Sequence, residues 1–161
     1  MAMDTIVLLS GGYDSIYCLI NARDYKKAKC VFFNYGQPYL KQEREAIGVL
    51  SSFLSIDCEE VAIPPLGNSG DTFLDRNETF ISMVSKRKPK EIYFGTRNLL
   101  PLFDKHKDSN WWWAKKMSRR LGVVIKTPAV GLPKRFIISK VHSFGIPKEA
   151  IFSSEGYTVN Q

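Results

Sequence analysis

The chain has 161 residues, 44% of them hydrophobic and 24% charged, which suits a single globular domain (1–161) with a sizeable core and excludes a disordered or low-complexity polymer. No apolar run approaches the roughly 20 residues needed to cross a bilayer, and Asp4 sits where a secretory leader would carry positive charge, so a cytoplasmic protein with no membrane partner is expected. The formal net charge of +7 suits anionic partners such as nucleotides or nucleic acid, although the basic groups at 86–90, 115–120 and 134–135 are more commonly just a solvated surface.

Residues 5–9 form a short apolar, β-branched run that predicts a buried parallel strand. Ser10, Gly11 and Gly12 then force a tight turn, and Asp14 or Ser15 is placed to cap a helix over 14–23 whose Ile16, Cys18, Leu19 and Ile20 face the sheet. Glycines admit a close ligand, and serine hydroxyls with the amides of a helix start donate to an anion, so the turn reads as a phosphate cradle. The same strand–glycine–helix turn also occurs with no ligand. It is not a Walker loop, since no Gly-Lys-Ser/Thr follows, and no GxGxxG is present.

A second strand is predicted over 30–34, a helix over 40–54 with Ala46, Ile47, Leu50 and Leu54 on one face, and a third strand over 59–63. Residues 64–70 are dense in turn formers and read as a loop, either a lid or slack. A helix from Arg76 or Asn77 to 86, a strand over 91–96, a helix over 110–121, a strand over 123–127 and a last helix from Lys134 to about Gly145 complete the pattern, with an irregular tail from Ile146. This alternation predicts an α/β fold, with three layers around a parallel five-stranded sheet. Ligands of such sheets bind at the carboxyl ends of the strands, where the strand order reverses, which draws together Ser10–Ser15, Asn34–Gln37, Gly95–Asn98 and Thr127-Pro128.

Cys18, Cys30 and Cys58 form no CxxC pair, and the first two read as small core residues. Trp111, Trp112 and Trp113 point around a helix, which predicts at least one in the core and one beside the pocket. His106 reads as a solvated loop histidine, and His142 as a surface or packed one.

The string Ser10-Gly-Gly-Tyr-Asp-Ser15 resembles the PP-loop of the ATP pyrophosphatases, which split ATP into AMP and pyrophosphate on an adenine nucleotide alpha hydrolase-like (Rossmann-like) fold. Within them the chain is similar to the 7-cyano-7-deazaguanine synthases of queuosine biosynthesis from about residue 4 to 157. Phe33-Asn-Tyr-Gly-Gln37, followed by Gln42-Glu43, resembles that family's Phe-Asp-Tyr-Gly-Gln segment with its downstream Glu. Arg76-Asn77 resembles its Gly-Arg-Asn motif, with Asp75 in place of the glycine. Gly95, Asp108, Thr127-Pro128 and Lys134 resemble a strand-ending glycine, a substrate-loop aspartate, the closing Thr-Pro and the lysine opening the last helix.

The resemblance implies ATP and magnesium as cofactors, activation of a carboxylate by adenylation, and displacement of AMP by ammonia to give an amide and then a nitrile. It implies Asp14, which positions magnesium, and Lys134 as catalytic residues. Ser10, Gly11, Gly12, Tyr13, Ser15, Asn34, Tyr35, Gly36, Arg76, Asn77 and Gly95 would bind nucleotide, and Gln37, Arg97 and Asp108 would bind substrate. A small-molecule substrate and a homodimer are the partners it implies. The family's four-cysteine zinc site has no counterpart: there is no cysteine after Cys58, and Ser154-Glu-Gly-Tyr157 stands where a cysteine would precede the tyrosine, so zinc is not expected. Lys105-His-Lys-Asp-Ser109 replaces the Tyr-Pro-Asp-Cys-Arg substrate loop, and Asn34 replaces an acidic residue. Two other functions fit the same residues: a PP-loop enzyme adenylating another substrate, such as a tRNA base, and a nucleotide-binding protein without turnover.

Overall fold

In the computed structural model, which describes residues 5–10, 12–22, 24–63, 76–97 and 110–152, strands and helices alternate in the predicted order. They are β1 (Thr5–Leu8), α1 (Tyr13–Asn21), β2 (Lys29–Asn34), α2 (Leu40–Leu54), β3 (Cys58–Ala62), α3 (Arg76–Ser85), β4 (Glu91–Tyr93), α4 (Trp111–Leu121), β5 (Val124–Lys126) and α5 (Lys134–Ser143). All pairings are parallel, in the order β3-β2-β1-β4-β5.

Successive side chains of β1 go to opposite faces, as strand geometry requires. Val7 joins Leu19, Leu50 and Ile137 under α1, α2 and α5, while Ile6 and Leu8 join Ile81, Val84 and Met117 under α3 and α4. The central strand is thus covered on both sides, which is why its sequence is a continuous apolar run rather than an alternating one. The edge strand β3 is partly exposed and carries Glu59 and Glu60, whose partners are Arg87 and Arg44. Charges along an exposed edge discourage pairing with another chain.

The chain winds one way from β1 to β3, then returns to the other side of β1 for β4. With right-handed crossovers this places α1 and α2 on one face and α4 on the other. The order therefore reverses between β1 and β4, and a crevice opens above their carboxyl ends.

Several boundaries differ from expectation for identifiable reasons. Neither Asp14 nor Ser15 caps α1. Gly12 occupies the cap with no side-chain bond, and the Ser15 hydroxyl is used inside the turn. β4 and β5 are shorter than predicted: after Phe94 N–H donates to Lys126 O, the chain leaves the sheet, and Val123 N–H is taken by the Ser118 carbonyl at the end of α4. The tail is not irregular throughout, because Lys148–Ala150 forms a 3₁₀ turn against α2, with Ile146 and Ala150 buried. Cys18 and Cys30 are core residues, and burial pushes the thiols of Cys30 and Cys58 up to about 12 and that of Cys18 higher still. The loop over 64–70 lies outside the described residues, as do Gly11, Arg23, Asn98, His106, Asp108 and residues 154–157. No helix among the described residues is long and apolar enough to cross a membrane.

Candidate active site

A cleft opens at the switch point between β1 and β4. One end is built by the turn after β1. Ser15 is almost fully buried; its Oγ accepts the Ser10 N–H at 3.1 Å and donates to the Gly12 carbonyl at 3.0 Å. These two bonds tie Ser10 to the first turn of α1, whose leading amides have no acceptor within the helix, and Gly12, Tyr13, Asp14 and Ser15 line the cleft. Gly12 has an ordinary negative φ, and a Cβ there would meet nothing closer than 3.7 Å. Among the described glycines, the one demanded by packing is Gly95, whose absent Cβ would lie 3.0 Å from Asp14 C and Ser15 N. The end of β4 lies directly against the first turn of α1, and a side chain there would press on the backbone of that turn.

Asp14 projects from this first turn, with Lys134 Nζ 3.3 Å from Oδ1 and Arg97 Nε 3.4 Å from Oδ2. Lys134 is the first residue of α5, and Arg97 follows β4, so two cations from distant segments meet one carboxylate at the turn. All three side chains are about one-third exposed, within reach of an entering anion. Lys134 Nζ also stands 5.6 Å over the Tyr13 ring, and Tyr13 Oη shares a 3.0 Å hydrogen bond with His142 Nε2. His142 is thus a surface residue, as predicted, and one tied to the turn.

The other end of the cleft is aromatic. Phe33 and Phe80 stack with centroids 4.1 Å apart, Tyr35 leans on Phe80, Tyr35 Oη bonds Tyr39 Oη at 2.8 Å, and Phe152 packs on Tyr39. Glu43 and Asn77 also line the cleft. The arrangement offers hydrogen-bond donors and cations at one end and flat apolar surface with a few polar atoms at the other. That division suits a molecule with a phosphate chain and a planar base.

Ser10, Gly12, Tyr13, Asp14, Ser15, Tyr35, Asn77, Gly95 and Lys134 all line the cleft. Arg97 is not a lining residue but pairs with Asp14, which is. Asn34, Gly36 and Gln37 stand behind the wall. Asn34 Oδ1 accepts the Gly36 N–H at 3.1 Å, and Gly36 adopts φ +83°, a turn that favours glycine. Gln37, expected to meet substrate, is buried: its Nε2 donates to Phe33 O and to Glu43 Oε2 at 2.6 Å, and its Oε1 accepts Tyr35 N–H. Its geometry is that of a brace for Tyr35 and Glu43. The side chain of Arg76, like Gly11 and Asp108, lies outside what is described.

The sequence alone does not mark Tyr39, Phe80, Phe94 and Phe152 as cleft residues. Phe80 follows Asn77 at helical spacing, and that was the one available signal. None of the three tryptophans is among the described cleft residues: Trp113 packs on Phe94, and Trp112 is 48% exposed.

A five-stranded all-parallel sheet with a Ser-Gly-Gly-Tyr-Asp-Ser turn at its switch point defines an adenine nucleotide hydrolase-like fold of the PP-loop ATP pyrophosphatase kind. The family model of the queuosine biosynthesis protein QueC matches residues 4–105, and the chain belongs to the QueC family. Among solved structures, a predicted subunit of tRNA methyltransferase from Methanocaldococcus jannaschii is similar, with a TM-score of 0.62 and 18% identity over 87% of this chain and 76% of that one. At that identity the likeness is one of fold. ATP is the nucleotide that family membership implies.

Proposed function

We propose that this chain works as one PP-loop domain that adenylates the carboxylate of a 7-deazaguanine-type base and passes the acyl group to ammonia, as a 7-cyano-7-deazaguanine synthase does. The observation that carries this reading is the position of Asp14, between Lys134 and Arg97 at the start of α1.

A carboxylate oxygen is a poor leaving group. Its attack on the α-phosphorus of ATP forms an oxygen–phosphorus bond as the bond to the β-phosphate bridge breaks, and pyrophosphate departs with that electron pair. Charge grows on the departing pyrophosphate, where the amides of residues 13–15, the Ser10 hydroxyl, Lys134 and Arg97 offset it. Groups pre-aimed at developing charge in this way commonly account for about 10²–10³ in rate. Ammonia then adds to the acyl carbon, loses a proton and expels AMP, leaving an amide. A second adenylation, at the amide oxygen, followed by loss of AMP and two protons, gives the nitrile.

Magnesium fits these residues as a companion of ATP rather than as a resident of a protein cage. No group of three or more His, Cys, Asp or Glu side chains suited to a metal occurs among the described residues, whereas Asp14 offers one carboxylate beside the phosphate end. One or two carboxylates together with substrate phosphates are the usual magnesium donors. Bound there, the ion would neutralise phosphate charge. The planar base would lie against Phe80, Tyr35 and Phe152, with Glu43 and Asn77 offering polar atoms to its edge.

The test incubates the protein with magnesium, ATP, ammonium and 7-carboxy-7-deazaguanine, beside an Asp14→Ala control. AMP, pyrophosphate and an amide or nitrile mass are expected, reduced by at least about 100-fold in the control. If ATP raises the melting temperature but no AMP forms, the acceptor assignment fails. If ATP does not bind, the nucleotide reading fails with it.

A further inference from the structure

Helix α4 carries a face that the proposed chemistry does not use. Its sequence, Trp-Trp-Trp-Ala-Lys-Lys-Met-Ser-Arg-Arg-Leu, contains no acidic residue. Ala114 and Met117 are buried against the sheet, so the outer surface consists of two adjacent rows at i, i+4, i+8 spacing: Trp111, Lys115, Arg119 and Trp112, Lys116, Arg120. In each row the lysine stands over the tryptophan, with Lys115 Nζ 5.6 Å from the Trp111 ring and Lys116 Nζ 5.9 Å from the Trp112 ring. Trp112 is 48% exposed. Arg120 alone of the four cations has a carboxylate partner among the described residues, Glu78 at 2.6 Å.

A surface helix that only needs to be wet gains from Glu–Lys pairs at i, i+4 and loses from like charges there. This helix has two like-charged i, i+4 pairs, Lys115–Arg119 and Lys116–Arg120, and leaves a large aromatic ring beside them in water. Both features work against the free protein, and both are favourable toward a partner that supplies regularly spaced negative charge and flat rings. A lipid surface supplies the charge without the rings. A nucleic-acid duplex keeps its ring faces stacked inside.

We propose that the outer face of α4 binds a single-stranded polynucleotide, with Trp112 stacking on a base and Lys115, Lys116 and Arg119 contacting successive phosphates. The inner side of the same helix reaches the cleft wall, because Trp113 packs on Phe94, which lines it; the outer face points away. The proposal is independent of the adenylation reading, and its test needs no ATP.

Fluorescence anisotropy of a labelled twelve-residue oligouridylate, titrated at several salt concentrations, tests it, with an equal-length duplex and heparin as competitors. The oligonucleotide is expected to bind and to be displaced better by unlabelled single strand than by duplex. Trp112→Ala should weaken binding about tenfold, within the usual range for loss of one base–aromatic stack. Lys115→Ala with Lys116→Ala should lower the slope of log affinity against log salt by about 1.4, two phosphate contacts on a single strand. Trp112→Gln repeats the stacking test with a polar side chain should the alanine variant not fold, with far-ultraviolet circular dichroism checking each variant. Absence of binding at low salt would overturn the proposal. So would binding indifferent to Trp112, or heparin competing as well as the single strand, since either reduces the face to a site for any polyanion.

Discussion

Replacing Gly95 by alanine tests the contact that holds the phosphate turn in place. The added Cβ would sit 3.0 Å from Asp14 C and Ser15 N and 3.1 Å from Ser15 Cα. These are backbone atoms at the start of a helix, not the end of a flexible side chain, so they cannot step aside without moving the turn or the end of β4. Overpacking of this kind costs about 2 kcal/mol, which for a chain of this length lowers Tm by about 4–8 °C. The displacement falls on the residues proposed to hold phosphate, and an error of about 1 Å in such a site can cost on the order of 100-fold in rate. Gly48→Ala is the internal control: it lies within α2, where a Cβ meets nothing within 4 Å, so it should stabilise by about 0.5–1 kcal/mol through helix propensity. Differential scanning calorimetry reads stability, and a coupled pyrophosphate-release assay reads turnover. A Gly95→Ala protein that melts with the wild type and releases pyrophosphate at the same rate would refute the close-packing argument.

Two further perturbations follow from the same geometry. Gln37→Ala removes the hydrogen bonds to Phe33 O, Tyr35 N–H and the Glu43 carboxylate, and should cost about 3 kcal/mol in urea unfolding; a loss below about 0.5 kcal/mol would show that the brace is dispensable. Arg87→Met tests the edge of the sheet. The Arg87 hydrogen bonds hold the Glu59 carboxyl below its ordinary range, so that pair's contribution is present above the ordinary carboxylate pKa and lost as pH falls through the depressed folded value. The pair is about one-third exposed, so the variant should be less stable by only about 0.5 kcal/mol at pH 7, and the gap should close as pH falls through the depressed carboxyl value. A gap of unchanged size in acid would mean that Arg87 acts through packing rather than charge.

The elements and the turn were legible in local spacing. Residues 40–54 carry Ala46, Ile47, Leu50 and Leu54 at helical spacing, and α2 has those bounds in the structure. The apolar run at β1 and the Ser-Gly-Gly turn are equally local signals. They depend on spacings of a few residues, and such spacings survive in one dimension. Boundaries failed where a neighbour in space intervened, as at β4, which ends early because its chain turns toward α1.

Which residues meet depends on packing between distant elements. Strand order is set by which crossovers bury both faces of β1, and that order creates the switch point where Asp14 finds Arg97 and Lys134, the latter 120 residues away in sequence. The aromatic wall joins Phe33, Phe80 and Phe152 from three separate segments. Gln37 and Gly95 show the same limit from the other side. The motifs they resemble mark both as binding residues; the structure buries Gln37 as a brace, while Gly95 lines the cleft and also gives the backbone of α1 room to pass. Side-chain identity is written in the chain. Burial and long-range contact depend on packing between elements far apart in sequence, and no local pattern encodes that.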